Sequence, residues 1–169
     1  QLVQANREVF LQEIDGVLEN LVAAKQVHGT RVKRVTIKDQ GKGAFTHESG
    51  IDDCDGLITN SPGLLLFAFF ADCTPIFLVD PVQKGIGLIH AGWKGTLGNI
   101  AGKSIEAMKS CFGSEPRDIR AVIGPRIGKE CYQVGVDLRE KLGQLGFNQS
   151  PYLTDGHLDL GEINRTLLL

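Results

Sequence analysis

Three side chains in this sequence could together hold a metal ion: His28, Cys73 and His90. Each closely follows an apolar run that reads as a strand. Each also sits beside small or turn-forming residues, in Val27-His28-Gly29, Asp72-Cys73-Thr74-Pro75 and His90-Ala91-Gly92. Two imidazoles and a thiolate are ligands zinc accepts, and three protein ligands leave a fourth position open, the pattern of a catalytic rather than a structural site. A water in that position would have its pKa lowered toward neutrality. The three residues form no local ligand motif, so satisfied histidines and a buried thiol are the plain alternative. Asp72 argues against that alternative. A carboxylate breaking an apolar run must be paired, exposed or functional, and here it could orient a ligand histidine or act as acid or base. The same residues also permit different chemistry, with Cys73 a nucleophile activated by His28 or His90.

Gly92-Trp93-Lys94-Gly95-Thr96 leads straight into a helical pattern. Glycines there free backbone N–H groups for an anion, Lys94 adds a positive charge, and Thr96 can cap the helix. Trp93 could stack on a planar ligand or wall the core. An ordinary strand-to-helix turn explains the segment equally well. Gly124-Pro125-Arg126 is a second glycine-rich strand exit, where Arg126 could clamp phosphate or carboxylate. Cys131 and Tyr132 follow and could line the same cleft. His47 in a polar loop, Cys54, Cys111 and His157 read as structural or solvent-facing.

These residues need strands to present them. Leu64–Phe70, Ile76–Val79 and Gly85–Ile89 are strand candidates whose continuous apolarity predicts burial on both faces. Shorter strands are expected over Leu21–Val27, Val32–Ile37, Leu57–Thr59 and Ile119–Ile123. Apolar stripes predict helices over Asn6–Leu21, Leu97–Phe112 and Val136–Leu145. Gly98 and Gly102, four apart, suggest close packing of the second helix on the sheet. Lys38–Asp53 reads as a mobile polar loop, Asn148–Asp155 as a loop, and Leu158–Leu169 as a helix or strand.

A length of 169 residues suits one domain with its own core. A net charge of −2 gives no case for nucleic acid or an anionic membrane, and no apolar run is long enough to span a bilayer. The four cysteines are scattered without a CxxC pair, which favours a reducing compartment. A start at Gln1 and an end on Thr166-Leu167-Leu168-Leu169 suggest part of a longer protein.

Gln26–Gly29 (QVHG), Asp55–Thr59 (DGLIT), Ala71–Ile76 (ADCTPI), His90–Thr96 (HAGWKGT), and the IGPRIG and CYQVG segments of Ile123–Gly135 occur in this order. Together they resemble the YfiH/YlmD family, also called the laccase-domain or multicopper polyphenol oxidase family, over nearly the whole chain. The resemblance implies an α+β fold in four layers, α/β/β/α with mixed sheets, related to a bacterial toxin's cysteine hydrolase domain. It implies zinc, with copper as the other possibility, held by His28, Cys73 and His90. Asp72, Cys73 and His90 are then the expected catalytic residues, with Gly92, Trp93, Lys94, Gly95, Arg126 and Cys131 as substrate contacts. The implied activity is phosphorolysis of purine nucleosides to base and ribose 1-phosphate, with adenosine deamination. A polyphenol oxidoreductase or a hydrolase of peptidoglycan precursors are the alternatives. A cytoplasmic monomer or homodimer is expected, with 1–169 a single catalytic domain. Relative to the family it starts after a T-T-R/K-x-G-G-V-S strand and stops before C-T-x-C and F-x-S-x-R-R segments. It also has arginine at position 126, where small residues are usual, and only the second cysteine of the usual pair.

Overall fold

In a computed structural model that describes residues 2–169, two of the three apolar runs, Ile76–Val79 and Gly85–Ile89, lie within a five-stranded mixed sheet, and the third, Leu64–Phe70, supplies a strand of a two-stranded sheet. The chain runs α1 (Leu2–Gln12), β1 (Leu21–Ala23), β2 (Val32–Arg34), β3 (Gly56–Thr59), β4 (Leu65–Phe67), β5 (Thr74–Asp80) and β6 (Gly85–Ala91). It continues through α2 (Trp93–Leu97), α3 (Ile100–Phe112), β7 (Arg120–Ile123), α4 (Val136–Gln144), a small hairpin of β8 (Leu153–Thr154) and β9 (His157–Leu158), and α5 (Leu160–Leu167). The main sheet has the order β2-β3-β6-β5-β7. β2 and β3 are parallel and the other neighbours antiparallel. β1 and β4 form a separate parallel pair.

Side-chain alternation assigns the layers. Ile58, Ile76, Leu78 and Ile89 leave one face of the main sheet and pack against Ile100, Ala101 and Met108 of α3. Leu57 leaves the other face and meets Val22 and Leu64. Leu21, Ala23, Leu65 and Phe67 turn outward from the two-stranded sheet to meet Leu11 of α1. The order is therefore α3, five strands, two strands, α1: an α+β fold in four layers, as the resemblance implies. α4, the hairpin and α5 form a separate cluster around Leu142, Leu158 and Ile163. Among the described residues no helix is long and apolar enough to cross a membrane.

Several elements depart from the sequence reading. The first helix spans Leu2–Gln12 rather than Asn6–Leu21; Asp15 takes a left-handed φ of 51° and the chain turns before β1. Of the stripe expected there, Val9, Phe10, Ile14 and Val17 are exposed. The helix expected over Leu97–Phe112 is split at Gly98-Asn99, with Asn99 at φ 56° capping α3 through Gly102 N–H. Gly102 thus faces its cap and not the sheet. Lys38–Asp53 is docked rather than free. Its polar side chains cap two 3-10 turns, Ile37–Asp39 and His47–Ser49. Its backbone satisfies β1 through Ala23 N–H to Lys42 and Ile51 N–H to Ala23. Burial on both faces is not realised in β5 and β6, because the two-stranded layer covers only part of the sheet and leaves Phe77, Val79 and Ile86 exposed. Leu158–Leu169 resolves into the end of the hairpin and helix α5.

α2 is laid directly on the turn that carries His28. A Cβ on Gly95 would lie 2.9 Å from the Gly29 carbonyl oxygen, a main-chain atom that cannot rotate away. Alanine gains about 1 kcal/mol of helix propensity over glycine, but forcing backbones apart costs about 1–3 kcal/mol. Gly95→Ala is therefore expected to lower the urea midpoint of unfolding with an unchanged m-value, in spite of the better helix former.

Candidate metal centre

The β5–β6 ladder brings two of the proposed ligands together. Thr74 pairs with Ala91 and Pro75 with His90, so Cys73, one residue before β5, sits at the same sheet end as His90. Ile89 and Ala91 face α3, which turns His90 to the opposite face. His90 is buried, Cys73 half-buried and His28 exposed, so the group is open on the His28 side. One ligand atom from each of the three lies within 4.8 Å of the other two. The His28 and His90 rings meet edge to face, with centroids 4.8 Å apart.

This set fits a metal. Tetrahedral bonds of about 2.0–2.3 Å put ligand atoms about 3.3–3.8 Å apart, so an inward shift of about 1 Å closes it. The space is kept by Gly92: a Cβ there would lie 3.2 Å from Cys73 Sγ and 3.2 Å from His28 Cδ2. Nitrogen and sulfur donors of this kind suit transition metals of borderline softness.

Beneath the ligands lies Asp55, a buried carboxylate that the sequence reading did not single out. Its Oδ1 accepts from the His28 N–H and contacts His90 Nδ1, both at 2.9 Å. Its Oδ2 accepts from Gly29 N–H at 2.7 Å and Val27 N–H at 3.3 Å. Burial works against the charge, but the bonds from His90 and these three N–H groups outweigh it and hold the carboxyl below its ordinary range. The clue in the sequence is a carboxylate immediately before an apolar strand, in Cys54-Asp55-Gly56. Burial raises the Cys73 thiol, and the charges of Asp72 and Asp55 raise it further. In the absence of a cation it is therefore a protonated, weak nucleophile at neutral pH, which disfavours the free-thiolate chemistry.

The ligands open into a cavity of about 510 Å³ whose walls include Gln26, His47, Phe69 and Phe70. Phe70 lies 5.6 Å, centroid to centroid, from His90. His47, expected to face only solvent, borders this cavity from the docked loop. Its approach depends on loop packing that composition does not reveal.

The family described as multi-copper polyphenol oxidoreductase laccase matches residues 1–169. The chain belongs to this family. A relative named purine nucleoside phosphorylase YlmD, from Bacillus subtilis strain 168, is 38% identical over 173 residues, covering 99% of this chain and 62% of its own length. Adenosine deaminase RL5, from an unknown prokaryotic organism, is 32% identical over 158 residues, covering 90% and 60%. The crystal structure of the Bacillus licheniformis hypothetical protein YfiH matches at a TM-score of 0.92 and 40% identity, covering 98% of this chain and 64% of that one. The chain thus spans about three-fifths of the length of the relatives it matches.

Of the other expected site residues, Trp93, Lys94, Arg126 and Cys131 do not line the ligand cavity. Trp93 stands between Lys94 and Lys141, whose Nζ atoms are 5.6 and 5.2 Å from its ring centroid, in a groove between α2 and α4. Thr96 is buried and accepts from Asn164 Nδ2 at 2.9 Å, tying α2 to α5. Arg126 lies over Gly161, with Nη2 3.8 Å from Asp159 Oδ1 at the start of α5. Cys131 is exposed in a 3-10 turn. Asp72 adopts a left-handed φ of 76°, and its carbonyl accepts from Ile127 N–H at 3.0 Å. This bond ties the Cys73 loop to the exit of β7.

Substituting Gly92 tests the cavity among the ligands. Gly92→Ala is expected to displace Cys73 and His28 and to weaken binding of a divalent ion about 10-fold, read by competition with a coloured chelator.

Proposed function

We propose that this laccase domain is a zinc-dependent purine nucleoside phosphorylase that also deaminates adenosine. The observation carrying the reading is that the His28–Cys73–His90 donor set opens into a cavity walled by Phe69 and Phe70. Similarity to relatives named for phosphorolysis and for deamination supports the substrate class. Zinc is supported by the two-imidazole, one-thiolate donor set. Multicopper oxidation of polyphenols by this chain by itself would need more imidazoles than its four histidines, two of which belong to the cluster.

In this reading adenosine, inosine or methylthioadenosine stacks its purine on the ring surfaces of Phe69 and Phe70. Gln26 fixes that wall by bonding both main-chain groups of Phe69, donating to its carbonyl at 2.9 Å and accepting from its N–H at 2.8 Å. In phosphorolysis a phosphate oxygen bonds to C1′ of the ribose. The C1′–N9 bond breaks, its electron pair leaves with the base, and N9 takes up a proton. In deamination water adds at C6 and ammonia leaves. His28, Cys73 and His90 would hold zinc at the cavity they line, where it would supply Lewis-acid charge. Four scattered cysteines without a CxxC pair suit a reducing, cytoplasmic setting, and a monomer or homodimer is part of the same proposal.

Zinc-loaded protein is incubated with adenosine, with and without phosphate, and the products are separated by chromatography. Adenine that forms only with phosphate reports phosphorolysis, and inosine that forms in either case reports deamination. His90→Ala is expected to lower both by about 100-fold or more. Unchanged adenosine, or full turnover by His90→Ala stripped of zinc, overturns the reading.

A further inference from the structure

We propose that Asp55 is the positioning residue of the metal centre, a single buried carboxylate that sets the ring of one histidine ligand and the main chain of the other. The inference rests on the reading of His28, Cys73 and His90 as metal ligands, and it assigns a role to a residue outside that set.

The geometry leaves little freedom. An ionised carboxylate is an acceptor only and offers about four lone-pair sites. Asp55 has four nitrogen partners: His28 N–H and His90 Nδ1 on Oδ1, and Val27 N–H and Gly29 N–H on Oδ2. Facing an acceptor, His90 Nδ1 must carry its proton, which leaves the lone pair on Nε2, the nitrogen free to bind a metal. The other three donors are consecutive main-chain N–H groups. They converge because His28 takes a left-handed φ of 57°, a conformation uncommon outside glycine, though enriched at asparagine, aspartate and histidine. Asp55 is held in turn by the sheet. Its carbonyl accepts from His90 N–H at 2.6 Å, and the next residue, Gly56, pairs with Ile89. Both histidines therefore take their positions from one residue, immediately before β3.

Asparagine cannot replace this group. It has one acceptor oxygen and one NH2, and each carboxylate oxygen of Asp55 faces two nitrogen partners. With its NH2 toward His28, it meets the His28 N–H and drives the His90 proton to Nε2, where the metal should bind. With its NH2 toward Gly29, it meets the N–H groups of Val27 and Gly29 and loosens the left-handed turn.

The test compares zinc affinity of the wild type, Asp55→Asn and Asp52→Asn by chelator competition. Long-range 15N–1H spectra of the metal-free wild type also read the His90 tautomer. Asp52 is an exposed carboxylate paired with Lys25 and controls for the loss of one charge. The expected result is a 10- to 100-fold loss for Asp55→Asn, none for Asp52→Asn, and the Nδ1–H tautomer at His90. Equal zinc affinity in Asp55→Asn and wild type overturns the inference. So does an Nε2–H tautomer in the wild type, which is read without any variant and so stands even if Asp55→Asn fails to fold. A wild type that binds no zinc overturns the metal reading itself, and the positioning role with it.

Discussion

The register between β5 and β6 is the constraint on which the site depends. Seven residue pairs, from Thr74 opposite Ala91 to Asp80 opposite Gly85, lock the two strands. Successive side chains point to opposite faces, so a one-residue slip would send His90 under α3 and Ile89 into the cavity. The core forbids it. Ile76, Leu78 and Ile89 are fully buried against α3, and each such side chain contributes about 1.5–3 kcal/mol over exposure. Aliphatic packing on one face thus aims an imidazole on the other, and the β5–β6 pairing determines where Cys73 stands.

Two features beside this ladder would each be unfavourable alone. A buried carboxylate is costly without partners, and a left-handed residue that is not glycine costs roughly 1–2 kcal/mol. Asp55 and His28 offset one another. The left-handed turn makes three N–H groups converge, and the carboxylate supplies the acceptor they need. The concave nest so formed is an anion site filled from within the chain. His90 adds a fourth bond to the same group, which couples the turn after β1 to the end of β6.

Much of this was legible in the sequence because apolar runs and chain breakers are local signals. The strand bearing His90, α4, and the core stripe of α3 all follow from apolar runs and periodicity. Asp55 was harder to read, since its four partners come from residues 27–29 and 90, and only the β3–β6 pairing and the turn after β1 bring them together. Phe69 and Phe70 belong to a run that reads as continuous strand. That they leave the ladder to wall a cavity depends on where β4 stops pairing. The exposed stripe of α1 misled for the opposite reason: its periodicity is real, but Leu11 is the one residue of the helix that is buried. Periodicity reports the capacity to pack, while the depth of packing depends on what stands opposite.

The cavity itself follows from how β1 and β4 part. The two strands pair from Leu21 with Leu65 to Ala23 with Phe67, and then their main chains diverge. A diverging pair would leave inward N–H and C=O groups without partners, a costly outcome away from water. Gln26 removes that difficulty by lending its side-chain amide to the N–H and C=O of Phe69, standing in for a strand residue at a greater separation. On the outer side Arg7 lies over Phe67 and Phe69, 5.6 and 5.2 Å from their centroids, and donates to the Gly43 carbonyl. That contact joins the aromatic wall to the loop bearing His47. The sheet is thus prised open at one end with its hydrogen bonds intact, and the three ligand residues border that opening. Here the same few polar side chains satisfy the fold and clear the space in which its chemistry can occur.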